Sequence, residues 1–399
     1  MKALKSQRLH IGFFGKTNAG KSSVINSITG QDVSIVSDIA GTTTDVVEKS
    51  MELLPIGAVT LLDTAGINDT SELGKARIEK TLKIIDRTDI GVIVCEYNNF
   101  DGYEERLIEK FNELKIPYLI LVNKTDLTEN ITTLISKSGR AYTDNVIFTS
   151  ATTDKNIIYK FKEELVRLLP EDFVAPPKIA GDLVEEKSTV ILVIPIDKEA
   201  PKGRIILPQV QVLRDLLDSN CQVMAVKESE LEDALNNLKT KPSLVITDSQ
   251  AFKTVAQIVP EDIALTSFSI LFAKLKGDLK VFVNGAKAID KLQDGDKVLI
   301  LESCTHHAIE DDIGKVKIPN LLRKKTGKEL VIEHFSGHEF PDISGYKLII
   351  HCGACMTNRR EILSRIIKAG EQNIPITNYG IAISYCLGIV DRAIKIFND

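Results

Sequence analysis

No apolar run in these 399 residues approaches the length of a membrane-spanning helix. The opening residues, Met1-Lys2-Ala3-Leu4-Lys5-Ser6, lack the apolar core of a secretory signal, so a cytoplasmic protein with no membrane contact is expected. Extended Lys/Arg runs and basic tails are also missing. With 50 basic against 55 acidic side chains the formal net charge is −5, which gives no sign of a nucleic-acid-binding face. Cysteine is scarce, at six residues. In a reducing compartment those six read as ligands, catalysts or packed thiols rather than as disulfide partners. Cys95, Cys221 and Cys386 stand in apolar stretches and read as small buried hydrophobes.

What is present is α/β alternation along a chain too long for one ordinary domain. The expected fold class is α/β, with a first α/β domain followed by two further α/β domains. Strands are predicted at 9–14, 59–63, 90–95, 118–122 and 146–149, with a helix over 155–169. Pro170 and the Pro176-Pro177 linker then close a first domain over 1–172. A second, over 178–266, has strands at 189–194, 222–226 and 243–247 between helices and shows no catalytic constellation; association is the simplest role for it. The third, 267–399, has strands at 297–301 and 347–350 and a helix over 358–369.

Gly15-Lys16-Thr17-Asn18-Ala19-Gly20-Lys21-Ser22 satisfies the phosphate-loop pattern after an apolar strand and before a helix. Its backbone N–H groups, with the helix start through Ser23, face phosphate; Lys21 reaches the β- and γ-phosphates, and Ser22 ligates Mg²⁺. Asp63-Thr64-Ala65-Gly66 supplies Asp63 to hold Mg²⁺ through water and the Gly66 amide for the γ-phosphate. Gly41-Thr42-Thr43-Thr44-Asp45 offers a threonine to close over the metal, and Thr43 is the candidate. Asn123-Lys124-Thr125-Asp126 follows a strand, and Asp126 can accept from N1–H and the 2-amino group of guanine, a donor pair adenine lacks. Ser150-Ala151 fits the last base-contacting loop.

Over roughly residues 7–170 this set resembles the TrmE–Era–EngA group of translation-factor-related GTPases. That resemblance implies that Asn18 binds a K⁺ ion supplying the charge otherwise given by an arginine finger. Ile67 stands where Ras-like enzymes place the glutamine that orients water, and its side chain cannot hydrogen-bond. Slow intrinsic hydrolysis, faster in K⁺ than Na⁺, is expected, with Lys21, Asn18 and Thr43 as the catalytic set. Thr44 replaces the group's frequent arginine, so its switch-loop details do not transfer.

The remaining cysteines form a split set, Cys304-Thr305-His306 and His351-Cys352-Gly353-Ala354-Cys355. Thiolates suit zinc or iron–sulfur chemistry, and three of them leave a coordination position open. His306 and His351 are candidate ligands, donors to sulfur or loop residues; His307, His334 and His338 read as solvated or locally bonded. A CxH followed some forty residues later by HCxxC, behind such a GTPase domain and a middle domain, resembles the HydF family of [FeFe]-hydrogenase maturation GTPases over the whole chain. The resemblance implies a [4Fe–4S] cluster on Cys304, Cys352 and Cys355, a homodimer through the middle domain, and GTP, Mg²⁺ and K⁺ as cofactors. It further implies a carrier of the di-iron subcluster precursor, served by two radical-SAM maturases and delivering to apo-[FeFe]-hydrogenase. A regulatory or tRNA-modification GTPase with a structural zinc is the alternative, and a dithiol redox enzyme using Cys352 and Cys355 a third reading.

Overall fold

A computed structural model describes residues 8–29, 47–64, 83–127, 134–136, 139–154, 156–170, 173, 177–196, 203, 205–302, 313–337, 340–353 and 357–397. Two compact units divide the chain, Met1–Pro176 and Pro177–Asp399.

In the first unit the strands are β1 (Leu9–Phe14), β2 (Val47–Leu53), β3 (Gly57–Asp63), β4 (Ile90–Glu96), β5 (Tyr118–Asn123), the short ribbon β6 (Leu134–Ile135) and β7 (Ala141–Tyr142), and β8 (Val146–Phe148). The main sheet runs β2-β3-β1-β4-β5-β8, with β2 alone antiparallel. Every residue of β1 is buried, as expected of a strand covered on both faces. Successive side chains point to opposite faces, so Leu9, Ile11 and Phe13 join one core and Phe14 the other. The first core is closed by helices α1 (Lys21–Thr29) and, later in the chain, the helix spanning Ile157–Leu168, whose Ile157, Phe161 and Leu165 recur every four residues. The second is closed by α2 (Gly102–Glu113) through Leu107, Ile108 and Phe111. The helix at Ile157–Leu168 is α3.

The second unit holds two parallel four-stranded sheets. The first comprises β9 (Thr189–Val193), α4 (Leu207–Asp218), β10 (Gln222–Val226), α5 (Leu231–Asn237), β11 (Leu244–Thr247), α6 (Phe252–Ile258) and β12 (Ala264–Ser267), followed by α7 (Phe268–Lys276) and α8 (Leu279–Ala286). The second comprises β13 (Lys297–Glu302), α9 (Ile318–Thr326), β14 (Val331–Ser336), β15 (Tyr346–His351), α10 (Arg359–Glu371), β16 (Ile376–Asn378), α11 (Tyr379–Cys386) and α12 (Val390–Ile394). Their orders, β10-β9-β11-β12 and β14-β13-β15-β16, are the same winding written twice, although the sequence carries no visible repeat. In each, the first strand crosses over to one side and the third to the other, so the order reverses between the two central strands.

The sheets share one apolar core, in which Ile191, Val193 and Val245 of the first belong with Leu299, Ile300 and Ile350 of the second. The C-terminal segment stitches them further: Arg392 donates to the carbonyls of Ala256, Val259 and Pro260 at 2.8, 2.6 and 2.8 Å, satisfying acceptors at the end of α6. The 266/267 boundary expected from the sequence falls inside β12, whose Thr266 and Ser267 pair with Ile246 and Thr247. Cys95 and Cys221 are buried as expected, and Cys386 is half-buried. No helix among the described residues is long and apolar enough to cross a membrane.

Candidate functional site

In the first unit, β1 delivers the chain into the loop Gly15–Gly20 and α1 takes it out at Lys21. Three residues of that loop have positive φ: Gly15 at 154°, Asn18 at 66° and Gly20 at 88°. Asparagine is among the few side chains that tolerate the left-handed region, so Asn18 fits its position on backbone grounds alone. A Cβ on Gly15 would meet the Val94 carbonyl at 2.2 Å, and one on Gly20 the Asn123 amide nitrogen at 2.2 Å. Thr17, Asn18, Ser22 and Ser23 are exposed, while Ala19 and Lys21 are buried.

Lys21 Nζ donates to the Gly15 carbonyl at 3.2 Å. Burial lowers its pKa, against which the Asp63 carboxylate works; burial likewise raises that of Asp63, against the pull of Lys21. Asp63 ends β3 opposite Phe13, and the neighbouring Thr64 hydroxyl donates to the Phe13 carbonyl at 2.8 Å. Asp63 Oδ1 is buried without a hydrogen-bond partner. An orphaned carboxylate oxygen beside the buried Lys21 could hold a hydrated Mg²⁺, with Ser22 at the start of α1 as the other described donor. Thr43, Gly66 and Ile67 lie outside the described residues.

Asn123 joins the two ends of the site. Its Nδ2 donates to the Ala19 carbonyl at 3.0 Å and its Oδ1 accepts from the Ala151 amide at 2.9 Å, tying the phosphate loop to the loop after β8. Ser27 of α1 donates to the Ala151 carbonyl at 2.6 Å, a second tie between the same regions. Ser150 is buried beside Thr152, at 3.2 Å between hydroxyls. Lys124 adopts φ 61° and pairs with Glu96, and Asp126 is the middle residue of the short turn Thr125–Leu127 and is exposed, where a base can reach it.

In the second unit His351 and Cys352 lie at the reversal point of the second sheet, where β13 and β15 end side by side. β13 pairs β15 with Leu301 opposite His351, and the Cys352 amide donates to the Leu301 carbonyl at 2.8 Å, extending the ladder one residue past the strand. The C-terminal edge at such a point is where open parallel sheets form a ligand crevice. Cys304 stands two residues beyond the end of β13, and Cys355 three before Asn358, the N-cap of α10. Cys304, His306 and Cys355 lie outside the described residues, as do His307 and His338; His334 is on β14. Among the described residues no group of three potential ligands is assembled. By donor chemistry a set of three soft thiolates would fit a cluster, and Cys352 is the member of that set that the described residues include.

His351 is engaged inside the protein. Arg365 donates to Nε2 at 2.6 Å, and because arginine cannot accept, the His351 proton is on Nδ1, which donates to the Cys352 carbonyl at 2.8 Å. Arg365 also donates to Glu361 at 2.7 Å and to the Gly337 carbonyl at 3.0 Å. With both ring nitrogens committed, the geometry favours support of Cys352 over metal ligation for this histidine. Lys276, equally buried, donates to the Thr357 carbonyl at 2.9 Å on the approach to α10. Sequence reading missed Arg365, Glu361 and Lys276, since nothing in a helix's spacing announces a buried arginine; it also missed Asp101 and Glu104, although Asp-x-x-Glu ahead of an apolar stripe is a capping-box signal.

Sequence comparison matches residues 179–277 to the hydrogen maturase F dimerization domain and 280–396 to the hydrogen maturase F tetramerization domain. The chain belongs to the hydrogen maturase F family. The first unit of this family member matches the 50S ribosome-binding GTPase domain over residues 10–124. The chain is 35% identical over 187 residues to the tRNA modification GTPase MnmE of Caldicellulosiruptor saccharolyticus, covering 45% of this chain and 37% of that protein. It is 31% identical over 150 residues to the GTPase Der of Clostridium kluyveri, covering 36% and 34%. The chain thus spans about a third of the length of these curated relatives. Among solved structures it is similar to Aquifex aeolicus Era bound to GDP and AlF4⁻, at 19% identity and a TM-score of 0.29 over 55% of this chain and 93% of that one.

Proposed function

We propose that this chain is a GTP-hydrolysing scaffold of [FeFe]-hydrogenase maturation, holding a [4Fe–4S] cluster on Cys304, Cys352 and Cys355 and carrying the di-iron subcluster precursor to apo-hydrogenase. The observation that supports it most is that β13 and β15, the strands that lead in sequence to the two cysteine motifs, are neighbours at one sheet's reversal point, in a chain whose other unit has a complete phosphate loop. When bound, the cluster would supply an iron with a coordination position that the three thiolates leave open. The chain's own part there is to present Cys352 at a fixed height, through the Leu301 ladder bond on one side and His351 on the other.

In the nucleotide site Lys21 neutralises phosphate charge, Asp63 and Ser22 hold Mg²⁺, and Asp126 reads guanine. Thr43 closes over the metal. Asn18, exposed on the loop, would offer its side-chain oxygen to K⁺, so hydrolysis should be slow and faster in K⁺ than in Na⁺. Two radical-SAM maturases would load the scaffold and apo-[FeFe]-hydrogenase would receive from it, the chain acting in the cytoplasm as a homodimer or larger assembly through its second unit. Nucleotide state would act by binding two arrangements of the switch loops unequally.

Anaerobic reconstitution with iron and sulfide tests the central claim. Iron near the four per chain that the cluster's formula requires, with an EPR signal on reduction, is the expected result. Cys304→Ala, Cys352→Ala and Cys355→Ala should each degrade it. Zinc in place of iron, or iron indifferent to all three changes, would leave a GTPase with a different C-terminal role.

A further inference from the structure

Lys16 is the second residue of the phosphate loop, yet its ammonium is spent elsewhere. Nζ lies 2.8 Å from Asp101 Oδ2, 3.1 Å from Glu104 Oε2, 3.0 Å from the Asn99 carbonyl and 3.4 Å from Asn99 Oδ1. An ammonium has three N–H bonds, so this set of oxygens accounts for all of them. The partners belong to one short segment, the entry to α2, on the face of the sheet where Phe14, Cys95 and Phe111 are buried. The Lys16 side chain is 12% exposed and that of Glu104 1%.

The same two carboxylates build the helix cap. Asp101 Oδ1 accepts from the Tyr103 amide at 3.1 Å, and Glu104 Oε2 accepts from the Asp101 amide at 3.0 Å. One oxygen of Glu104 thus serves both the α2 cap and Lys16, while its Oε1 is buried with no hydrogen-bond partner. Two acids thus share one base: Glu104 is buried and the Asp101 side chain is 31% exposed, so without the lysine's charge the buried Glu104 carboxylate would face Asp101 with the Asp101 amide still donating to it.

We propose that Lys16 is a positioning residue for the guanine nucleotide, its ammonium clamping the entry of the phosphate loop to the cap of α2 so that the loop's amides stay aimed at phosphate before nucleotide arrives. The proposal rests on the reading of Gly15–Ser22 as a nucleotide site. Loop and cap flank β4: a Cβ on Gly15 would strike the Val94 carbonyl in that strand, and the α2 entry begins five residues after its last residue, Glu96. The clamp thus spans the strand against which the loop is already seated. Its action is on binding rather than on the chemical step, because Lys16 is committed away from the loop's interior while Lys21 stays within it.

Stopped-flow release of a fluorescent GDP analogue, with steady-state GTP hydrolysis on the full chain, tests this. Lys16→Met is expected to speed release about tenfold and raise KM with kcat within about twofold, the pattern of lost uniform binding. Lys16→Arg should retain most of the affinity. In a Glu104→Gln background the same Lys16→Met change should cost clearly less, since the grip is already weakened. A folded Lys16→Met protein with unchanged release overturns the proposal. So does an equal penalty in both backgrounds, which would mean that Lys16 touches the nucleotide itself. Should Lys16→Met not fold, Asp101→Asn carries the same expectation at smaller size, and unchanged release in it is equally fatal. A wild-type chain that binds no guanine nucleotide would remove the nucleotide reading, and the clamp with it.

Discussion

Arg365 donates to His351 across 2.6 Å with both side chains sealed from solvent, and Arg365 heads the fully buried side chains by size among the described residues. The guanidinium is the hub between the end of β14, the end of β15 and its own helix. Arg365→Met should strand Glu361 as a buried charge and lower the stability of the second unit by about 3–5 kcal/mol, read from urea unfolding. His351→Asn, whose amide can take over the donation to the Cys352 carbonyl, should keep iron loading, whereas His351→Leu should reduce it. Equal loss in both variants would favour direct ligation.

Asn123 offers a second test. Asn123→Ala removes both hydrogen bonds between the phosphate loop and the 151 loop, and should speed guanine-nucleotide release at least about tenfold, each bond contributing about 1 kcal/mol. Gly20→Ala places a methyl 2.2 Å from the same amide at φ 88°, and should abolish nucleotide binding while circular dichroism of the unit is retained. Unaltered release in Asn123→Ala would mean that the two loops are held by Ser27 alone.

Glu104 gives the stability of the first unit a pH dependence of known sign. Burial raises its pKa above the ordinary 4.5, against the pull of its hydrogen bonds to the Asp101 amide and Lys16; Cys95, Tyr103 and Asp101 are its other titratable neighbours. The folded state therefore binds the proton more tightly than the unfolded one. Its contribution is fully present below pH 4.5 and is lost as pH rises through the folded-state value. Relative to Glu104→Gln, the wild-type unit should lose stability as pH rises above 4.5 in thermal melts. A constant difference would show that the carboxyl titrates normally.

Gly285 sits where α8 lies against β16. A Cβ there would be 1.9 Å from the Ile376 carbonyl oxygen, a backbone atom that cannot swing aside. Gly285→Ala should cost about 1–3 kcal/mol in denaturant unfolding of the second unit, despite alanine's better helix propensity. No loss would mean that the helix slides freely over the strand.

Much of this architecture could be read directly from residue order. The buried parallel strands Leu9–Phe14 and Leu244–Thr247 announce themselves as continuous apolar runs, and the edge strand Gln222–Val226 and helix Leu207–Asp218 also lie where their patterns put them. Six strands escaped, two of them the two-residue ribbon strands β6 and β7. β2 (VEKSMEL) and β14 (VIEHFS) are sheet edges, where exposure admits Glu, Lys and His; β12 and β16 are four and three residues long, too short to show a period. The nucleotide motifs were legible because their chemistry fixes residue types at fixed spacing. The oxygens around Lys16 and the Arg365 hub were not, since they depend on segments 83 and 14 residues apart meeting in space.

The interleaved apolar interior of the second unit, with Arg392 reaching back from the chain's last helix to α6, makes its two sheets one cooperative folding unit. Heat should melt residues 177–399 in a single calorimetric transition. A ligand held at the end of β15 in the second sheet would then raise the melting point of the first sheet as much as that of the second. Cargo and assembly would thus be thermodynamically linked through shared hydrocarbon, with no moving part required.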